Sequence, residues 1–126
     1  RLDKDTSWLI MLTNDTSLQK KILEPHKAIP KTYLVSVYRD IQRSDIDQLI
    51  NWISLQWYTT KPAKCVQISH QKLRLTITEW KNRQVRKMMR AIGHNIFALH
   101  REKIWPRYIG NLKPNEYKHF DPRDLV

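Results

Sequence analysis

The chain of 126 residues carries 23 Lys and Arg against 12 Asp and Glu, a formal net charge of +11 with a pI near 10.0. This length predicts one domain, residues 1–126, that can bury a core without disulfide bonds. The excess of positive charge is typical of a protein that binds a polyanion, most often nucleic acid. No apolar run reaches the roughly 18 residues of a spanning helix, which argues against a membrane protein.

Several kinds of chemistry are disfavoured by residue content. The single Cys65 excludes an intramolecular disulfide and a cysteine-built zinc site, and it fits a reducing cytoplasm. The only glycines, Gly93 and Gly110, form no phosphate-binding loop, and no serine stands on a nucleophile elbow. The histidines show no metal-ligand spacing, so we expect no metal and a surface or RNA-facing position for each. They are His26, His70, His94, His100 and His119.

The first half of the chain predicts two strands and two helices. Residues 9–13 form a short apolar run typical of a buried strand, and residues 14–17 form a turn that caps a helix ending near Leu23. Residues 31–38 alternate and are rich in β-branched and aromatic side chains, which predicts a strand. Ser44 is a suitable N-cap for a second helix, whose apolar stripe includes Leu49.

The second half predicts a hairpin, a helix and further strands. Residues 64–69 and 72–79 read as paired strands around a turn, and residues 95–104 and 117–120 as two later strands. Strands and helices intermix along the chain, so the predicted class is α+β with a largely antiparallel sheet.

Residues 79–94 contain the clearest amphipathic helix. Val85, Met88, Met89 and Ile92 fall at i, i+3, i+4 and i+7 and predict one buried stripe, and Gly93 is placed to end the helix as a left-handed cap. Its basic residues allow two interpretations, a solvated face or a surface that binds phosphate with one arginine drawn inward.

Five ordered motifs, read together, resemble the ribosomal RNA pseudouridine synthases. They are RLDKDTS at residues 1–7, LIMLTND at 9–15, KTYLV at 31–35, TKPA at 60–63 and NRQVRKM at 82–88. The similar branch holds small-subunit enzyme A and large-subunit enzymes B, E and F, and residues 2–5 and 60–62 look closest to enzyme F. The resemblance implies the pseudouridine synthase catalytic fold. It also leads us to expect that the start of that domain and an S4-type RNA-binding domain precede Arg1 in relatives and are absent here.

The resemblance also implies roles for particular residues. Asp3 matches the catalytic nucleophile, Tyr33 the tyrosine that stacks on the target base, and Arg86 the arginine that pairs with the catalytic aspartate. Taken alone, an aspartate such as Asp3 or Asp5 in a turn before a strand is more often a cap or a surface charge. Tyr33 alone is most often a strand residue with a surface hydroxyl. The expected partner is ribosomal RNA, without cofactor, for a cytoplasmic monomer. Expected RNA contacts are Arg1, Lys31, Arg83, Lys87, Arg90, His100 and Arg101.

All five tryptophans stand where the family pattern has glycine. They are Trp8, Trp52, Trp57, Trp80 and Trp105. Drift would not choose one residue type five times, so our hypothesis is that UGA codons read as glycine in the source were translated as tryptophan. The hypothesis requires UGA in the gene at these positions, and UGG codons there would contradict it.

Two rival classes remain open at the level of sequence. A non-catalytic basic RNA-binding or ribosome-assembly module is favoured if the tryptophans are genuine, and it would bind RNA without isomerising it. A decayed gene fragment would give no soluble folded product.

Overall fold

The computed structural model describes residues 2–24, 28–56, 58–79, 81–105, 107–108 and 110–121. The strands in these ranges are β1 (Ser7–Trp8), β2 (Lys31–Val37), β3 (Lys64–Ser69), β4 (Lys72–Ile77), β5 (Ile96–Ile104) and β6 (Arg107–Tyr108). The helices are α1 (Thr16–Leu23), α2 (Arg43–Asn51) and α3 (Gln84–Ala91). The strand order is β1-β5-β2-β4-β3, with β6 paired to β5. Only the β1–β5 pair is parallel among these strands, which confirms the predicted α+β class with a largely antiparallel sheet.

The core packs one face of β2, β4 and β5 against α2 and α3. In β4 the alternation of apolar and polar residues buries Leu73, Leu75 and Ile77, because successive side chains of a strand point to opposite faces. Leu49 of α2 and Met88 of α3 are fully buried in the same cluster. Each such side chain contributes about 1.5–3 kcal/mol by leaving water, so this layer holds α3 firmly on the sheet.

The predicted amphipathic helix is confirmed as α3. Val85, Met88 and Met89 are buried, and Ile92 is half-buried beside them. Gly93 has φ 84°, and the N–H of Gly93 and of His94 donate to the carbonyls of Arg90 and Met89 at 2.9 and 2.8 Å. These are the paired bonds of a glycine-terminated helix, so the predicted left-handed cap is also confirmed.

The other predicted helices and the hairpin are present with small shifts of their ends. Asp15 caps α1 by accepting hydrogen bonds from the Ser17 and Leu18 backbone N–H groups. The N-cap of α2 is Gln42 rather than Ser44, because Asp45 at the third helical position accepts from the Gln42 backbone N–H and closes a capping box. The hairpin forms as β3 and β4.

Two strand predictions are wrong. Residues 9–13 are not a strand, because only Ser7 and Trp8 pair with β5 and the chain leaves the sheet after the Leu9 N–H donates to the Arg101 carbonyl at 3.0 Å. Residues 117–120 are also outside any strand. In the described ranges, no helix is both long enough and apolar enough to cross a membrane.

Two of the five tryptophans occupy positions that accept a large side chain. Trp52 has φ −168° and ψ 155°, extended backbone that any residue adopts, and its indole is exposed. Trp105 is also exposed, with the Lys103 ammonium 4.6 Å from its ring. A tryptophan therefore fits at these two positions without a left-handed backbone or a buried indole. Trp57 and Trp80 lie outside the described residues.

Candidate active site

A cleft of about 320 Å³ opens where the turn at residues 3–6 meets β2 and the start of α3. Its apolar wall includes Leu2, Ile77, Val85 and Leu99. Its polar residues are Asp3, Thr6, Gln19, Tyr33, Glu79, Lys81, Asn82, Arg83, Gln84, Arg86 and Arg101. An apolar wall with a few convergent polar groups and a volume near the lower end of the ~300–1,000 Å³ range is typical of a small-molecule or base-binding site.

Asp3 enters the cleft from a tight turn. The Thr6 N–H donates to the Asp3 carbonyl at 3.0 Å, which closes the turn and half-buries the Asp3 side chain. Tyr33 from β2 and Arg86 from α3 line the same cleft, so the three residues with predicted catalytic roles are brought together. Asp3 and Arg86 do not form an ion pair, however, although both lie within the described residues. The predicted pairing of Arg86 with Asp3 is therefore wrong in this structure.

The carboxylate that the arginines bind belongs to Asp5, two residues further on. Arg83 donates from Nη1 and Nη2 to the two Asp5 oxygens at 2.9 and 2.8 Å, a bidentate pair. Arg86 lies with Nε 3.4 Å from Asp5 Oδ1 and donates from Nη2 to the Asp5 backbone carbonyl at 2.6 Å. The hydrogen bond from Arg83 is the main cause that lowers the pKa of Asp5 to about 2.

Tyr33 is held by a neighbouring strand. The register places Tyr33 opposite Arg101 of β5, next to a bulge. Burial raises the pKa of Tyr33, and the nearby Arg101 guanidinium opposes that rise. Arg101 is itself anchored, since its Nε donates to the Leu9 carbonyl at 3.0 Å. The pairing of β2 with β5 therefore sets the position of the ring in the wall of the cleft.

Glu79 connects three of the sequence motifs behind the cleft. Its Oε1 accepts hydrogen bonds from the Lys61 backbone N–H at 3.0 Å and from Gln84 Nε2 at 2.9 Å, and its backbone carbonyl accepts from Lys31 Nζ. Burial is the main cause that lowers the pKa of Lys31 to about 7, followed by the charge of Arg101. The motifs at residues 31–35, 60–63 and 82–88 thus converge on Glu79, the first through its backbone carbonyl and the other two through its carboxylate.

The charge balance of the cleft favours an anion. Lys81, Arg83, Arg86 and Arg101 line it against the carboxylates of Asp3 and Glu79. Clefts lined by one sign of charge concentrate ligands of the opposite sign, and phosphate is the anion that arginine binds with the best geometry. Among the residues described, no group of three or more His, Cys, Asp or Glu is arranged to hold a metal ion.

Comparison with known proteins agrees with this geometry. The sequence profile of the RNA pseudouridylate synthase family matches residues 1–91. The chain belongs to this family. An uncharacterized RNA pseudouridine synthase of Bacillus subtilis is 37% identical over 99% of the chain, and ribosomal large subunit pseudouridine synthase B of the same organism is 35% identical over 99%. Ribosomal small subunit pseudouridine synthase A of Yersinia pestis is 34% identical over 100%.

The fold is confirmed by a solved structure. A crystal structure described as a pseudouridylate synthase matches 90% of the chain with a TM-score of 0.84 and 29% sequence identity. The chain spans about half the length of the curated relatives it matches, 54–55% of each. The resemblance to the branch of small-subunit enzyme A and large-subunit enzyme B is confirmed, and the finer likeness to enzyme F stays a prediction.

The predicted RNA contacts of this family member divide into exposed and buried groups. Lys87 and Arg90 are exposed on α3 and form no ion pair with a described residue. Arg83 is at the surface but bound to Asp5. Lys31 and Arg101 are only 1% and 2% exposed, so neither presents its charge on the open surface, and contact of either with RNA stays a prediction. The sequence placed both residues on strands, but the alternation of apolar and polar side chains did not show which face of each strand is buried.

Two further predicted contacts lie away from the cleft or outside the described residues. His100 is half-buried on β5, where its Nδ1 shares a hydrogen bond with the Ser7 hydroxyl. Burial is the main cause that lowers the pKa of His100, and the charge of Lys72 adds to it. Arg1 lies outside the described residues.

Sequence reasoning missed the contacts of Asp5, the roles of Glu79 and Gln84, and the position of His94. Gln84 is 3% exposed, which its place beside Val85 and one helical turn before Met88 could have indicated. His94 is buried rather than at the surface or facing RNA, and its Nε2 lies 2.8 Å from Asp45 Oδ2. No local signal identifies that pair, because its members are far apart in sequence.

Proposed function

We propose that this chain carries the catalytic site of a pseudouridine synthase that isomerises a specific uridine of ribosomal RNA, with the large subunit as the expected target. The observation that carries the proposal is the shared cleft of Asp3, Tyr33 and Arg86, rimmed by positive charge. Relatives named for both ribosomal subunits support ribosomal RNA as the substrate. We expect the protein to act as a cytoplasmic monomer.

The isomerisation needs few chemical groups. The bond between C1′ and N1 breaks and a bond between C1′ and C5 forms, while C5 loses a proton and N1 gains one. The reaction is a redox-neutral isomerisation, so it consumes no redox cofactor and no nucleotide. It does need a carboxylate near the junction of sugar and base, and a pocket that retains the detached uracil.

Each residue of the cleft has a role in this scheme. Asp3 is the nucleophile, since its carboxylate lines the cleft and Asp5 does not. The Tyr33 ring retains the uracil by stacking while the base turns. Arg86 places positive charge next to the reacting carboxylate without an ion pair to it. The uridine must first leave its stack, and the exposed cations Lys87 and Arg90 bind the flanking phosphates.

The direct test is release of tritium from ribosomal RNA labelled at C5 of uridine. We expect release from large-subunit RNA in proportion to the enzyme added. Release from small-subunit RNA alone would reassign the subunit. Binding of RNA without release would support a non-catalytic RNA-binding module instead.

A further inference from the structure

Asp5 holds both arginines at the start of α3. Its carboxylate binds Arg83 through two hydrogen bonds of 2.9 and 2.8 Å and lies 3.4 Å from Arg86 Nε. Its backbone carbonyl accepts from Arg86 Nη2 at 2.6 Å. One residue of the turn that carries Asp3 is therefore connected by side chain and backbone to the helix that carries Arg86.

The backbone of Arg83 adopts a conformation that is unfavourable for arginine. Arg83 is the N-cap of α3 with φ 50° and ψ 34°, the left-handed region, and its side chain does not cap the helix. A residue other than glycine in that region costs about 1–2 kcal/mol. The bidentate pair with Asp5 fixes the direction of the Arg83 side chain, because two parallel hydrogen bonds are geometrically more specific than one. The N-cap residue of α3 is thus oriented toward the turn that carries Asp3.

Asp5 and Asp3 differ in where their carboxylates lie. Asp3 lines the cleft, whereas Asp5 binds the two arginines and does not line it. A carboxylate fully engaged by arginines is a poor nucleophile but an effective support for them. The geometry therefore separates a reacting carboxylate from one that orients its neighbours.

We propose that Asp5 is a positioning residue for uridine isomerisation, which holds Arg86 at the wall of the cleft that Asp3 also lines. This rests on the proposed function. Displacing a catalytic group by about 1 Å costs roughly a hundredfold in rate, so an anchor of this kind affects turnover more than substrate binding. The carboxyl stays ionised at any assay pH near neutrality, because Arg83 lowers its pKa to about 2.

The test compares the steady-state kinetics of matched variants on C5-tritiated RNA. Asp5→Asn keeps the shape and removes the charge, and we expect kcat to fall by about 30–100-fold with KM changed less than about threefold. Asp5→Glu retains the carboxylate and should recover part of the lost kcat. Asp47→Asn is the control, because the Asp47 carboxylate also binds an arginine, Arg43, at 3.2 Å, but on α2. It should retain kcat within about twofold.

A second measurement separates positioning from folding and from the proposed function. In an NMR spectrum of the arginine side chains, the Arg83 and Arg86 Nε–H resonances should shift or broaden in Asp5→Asn and stay unchanged in Asp47→Asn. Wild-type kcat in Asp5→Asn, or unchanged arginine resonances, would overturn the positioning role. No tritium release by the wild type would refute the proposed function, while the NMR result would still decide whether Asp5 holds the arginines.

Discussion

At the N-terminal end of α3, Arg83 and Arg86 bind the carboxylate of Asp5, and beyond its C-terminal end Arg39 and His94 bind the carboxylate of Asp45. The first cluster is open, with the Asp5 side chain 49% exposed, whereas the Asp45 side chain is 9% exposed. Ion pairs in open positions contribute little to stability, but buried ones are costly to break. The comparison therefore assigns chemistry to one end of the helix and stability to the other.

The second cluster joins α2 to the end of α3. Asp45 accepts from the Gln42 N–H in the capping box of α2 and from His94, which follows α3. Arg39 donates to the carbonyls of Gly93 and Ile92 at 3.0 and 2.9 Å, which lack partners within the helix. Any larger residue at Gly93 would be strained by the φ of 84°, and its Cβ would lie 3.1 Å from Arg39 Nη2.

The largest effect we expect on the open end comes from Arg86→Ala. Its guanidinium lines the cleft, so kcat should fall by about a hundredfold or more, while the Kd for RNA changes less than about threefold. Arg90→Ala is the matched comparison, because Arg90 lies exposed on the same helix. This variant should leave kcat intact. It should reduce the slope of log K for RNA binding against log salt concentration by about one unit. Equal losses of RNA binding in the two variants would contradict the assignment of Arg86 to turnover and Arg90 to RNA binding.

The buried end is tested by His94→Ala. Loss of the 2.8 Å contact leaves the Asp45 carboxylate without one of its buried partners, so the free energy of unfolding should fall by about 2–3 kcal/mol. Turnover by the folded protein should stay within about twofold of wild type. Urea denaturation and tritium release on the same preparations measure both quantities. A large loss of kcat with unchanged stability would reverse the assignment of the two ends.

A further effect concerns the pH dependence of stability near the cleft. Lys31 has a pKa of about 7 in the folded protein, well below the 10.5 of a lysine in water. Between these values the unfolded chain binds a proton that the native state does not, so stability rises from about pH 7 to pH 10. Lys31→Met should flatten this rise in the urea midpoint. Lys64→Met, at an exposed position of β3, should leave it unchanged.

Patterns that depend on local spacing predicted much of the fold. The stripe Val85, Met88 and Met89 identified α3, and Gly93 identified its end, because helical periodicity and the left-handed cap are local properties. The strand prediction for residues 9–13 was wrong because a short apolar run has no periodicity that separates a strand from irregular chain. Whether β1 continues past Trp8 depends on the position of β5, which is set by tertiary structure.

The sequence predicted which residues form the site but not which of them contact one another. Asp3, Tyr33 and Arg86 share the cleft as the motifs implied. The turn and the left-handed backbone of Arg83 determine which carboxylate, Asp3 or Asp5, lines the cleft and which binds the arginines. The sequence does not signal this backbone, because an arginine rarely adopts it. Lys31 was expected to contact RNA, yet it donates to the Glu79 carbonyl 48 positions away.

In the proposed mechanism Asp3 reacts with the uridine and Asp5 only positions Arg86. Single-turnover tritium release from C5-labelled ribosomal RNA distinguishes these roles, with wild type, Asp3→Asn and Asp5→Asn at equal RNA occupancy. We expect no release by Asp3→Asn above the protein-free control, and slow but measurable release by Asp5→Asn. Release by Asp3→Asn within about tenfold of wild type, well short of the loss expected when a nucleophile is removed, would contradict this mechanism.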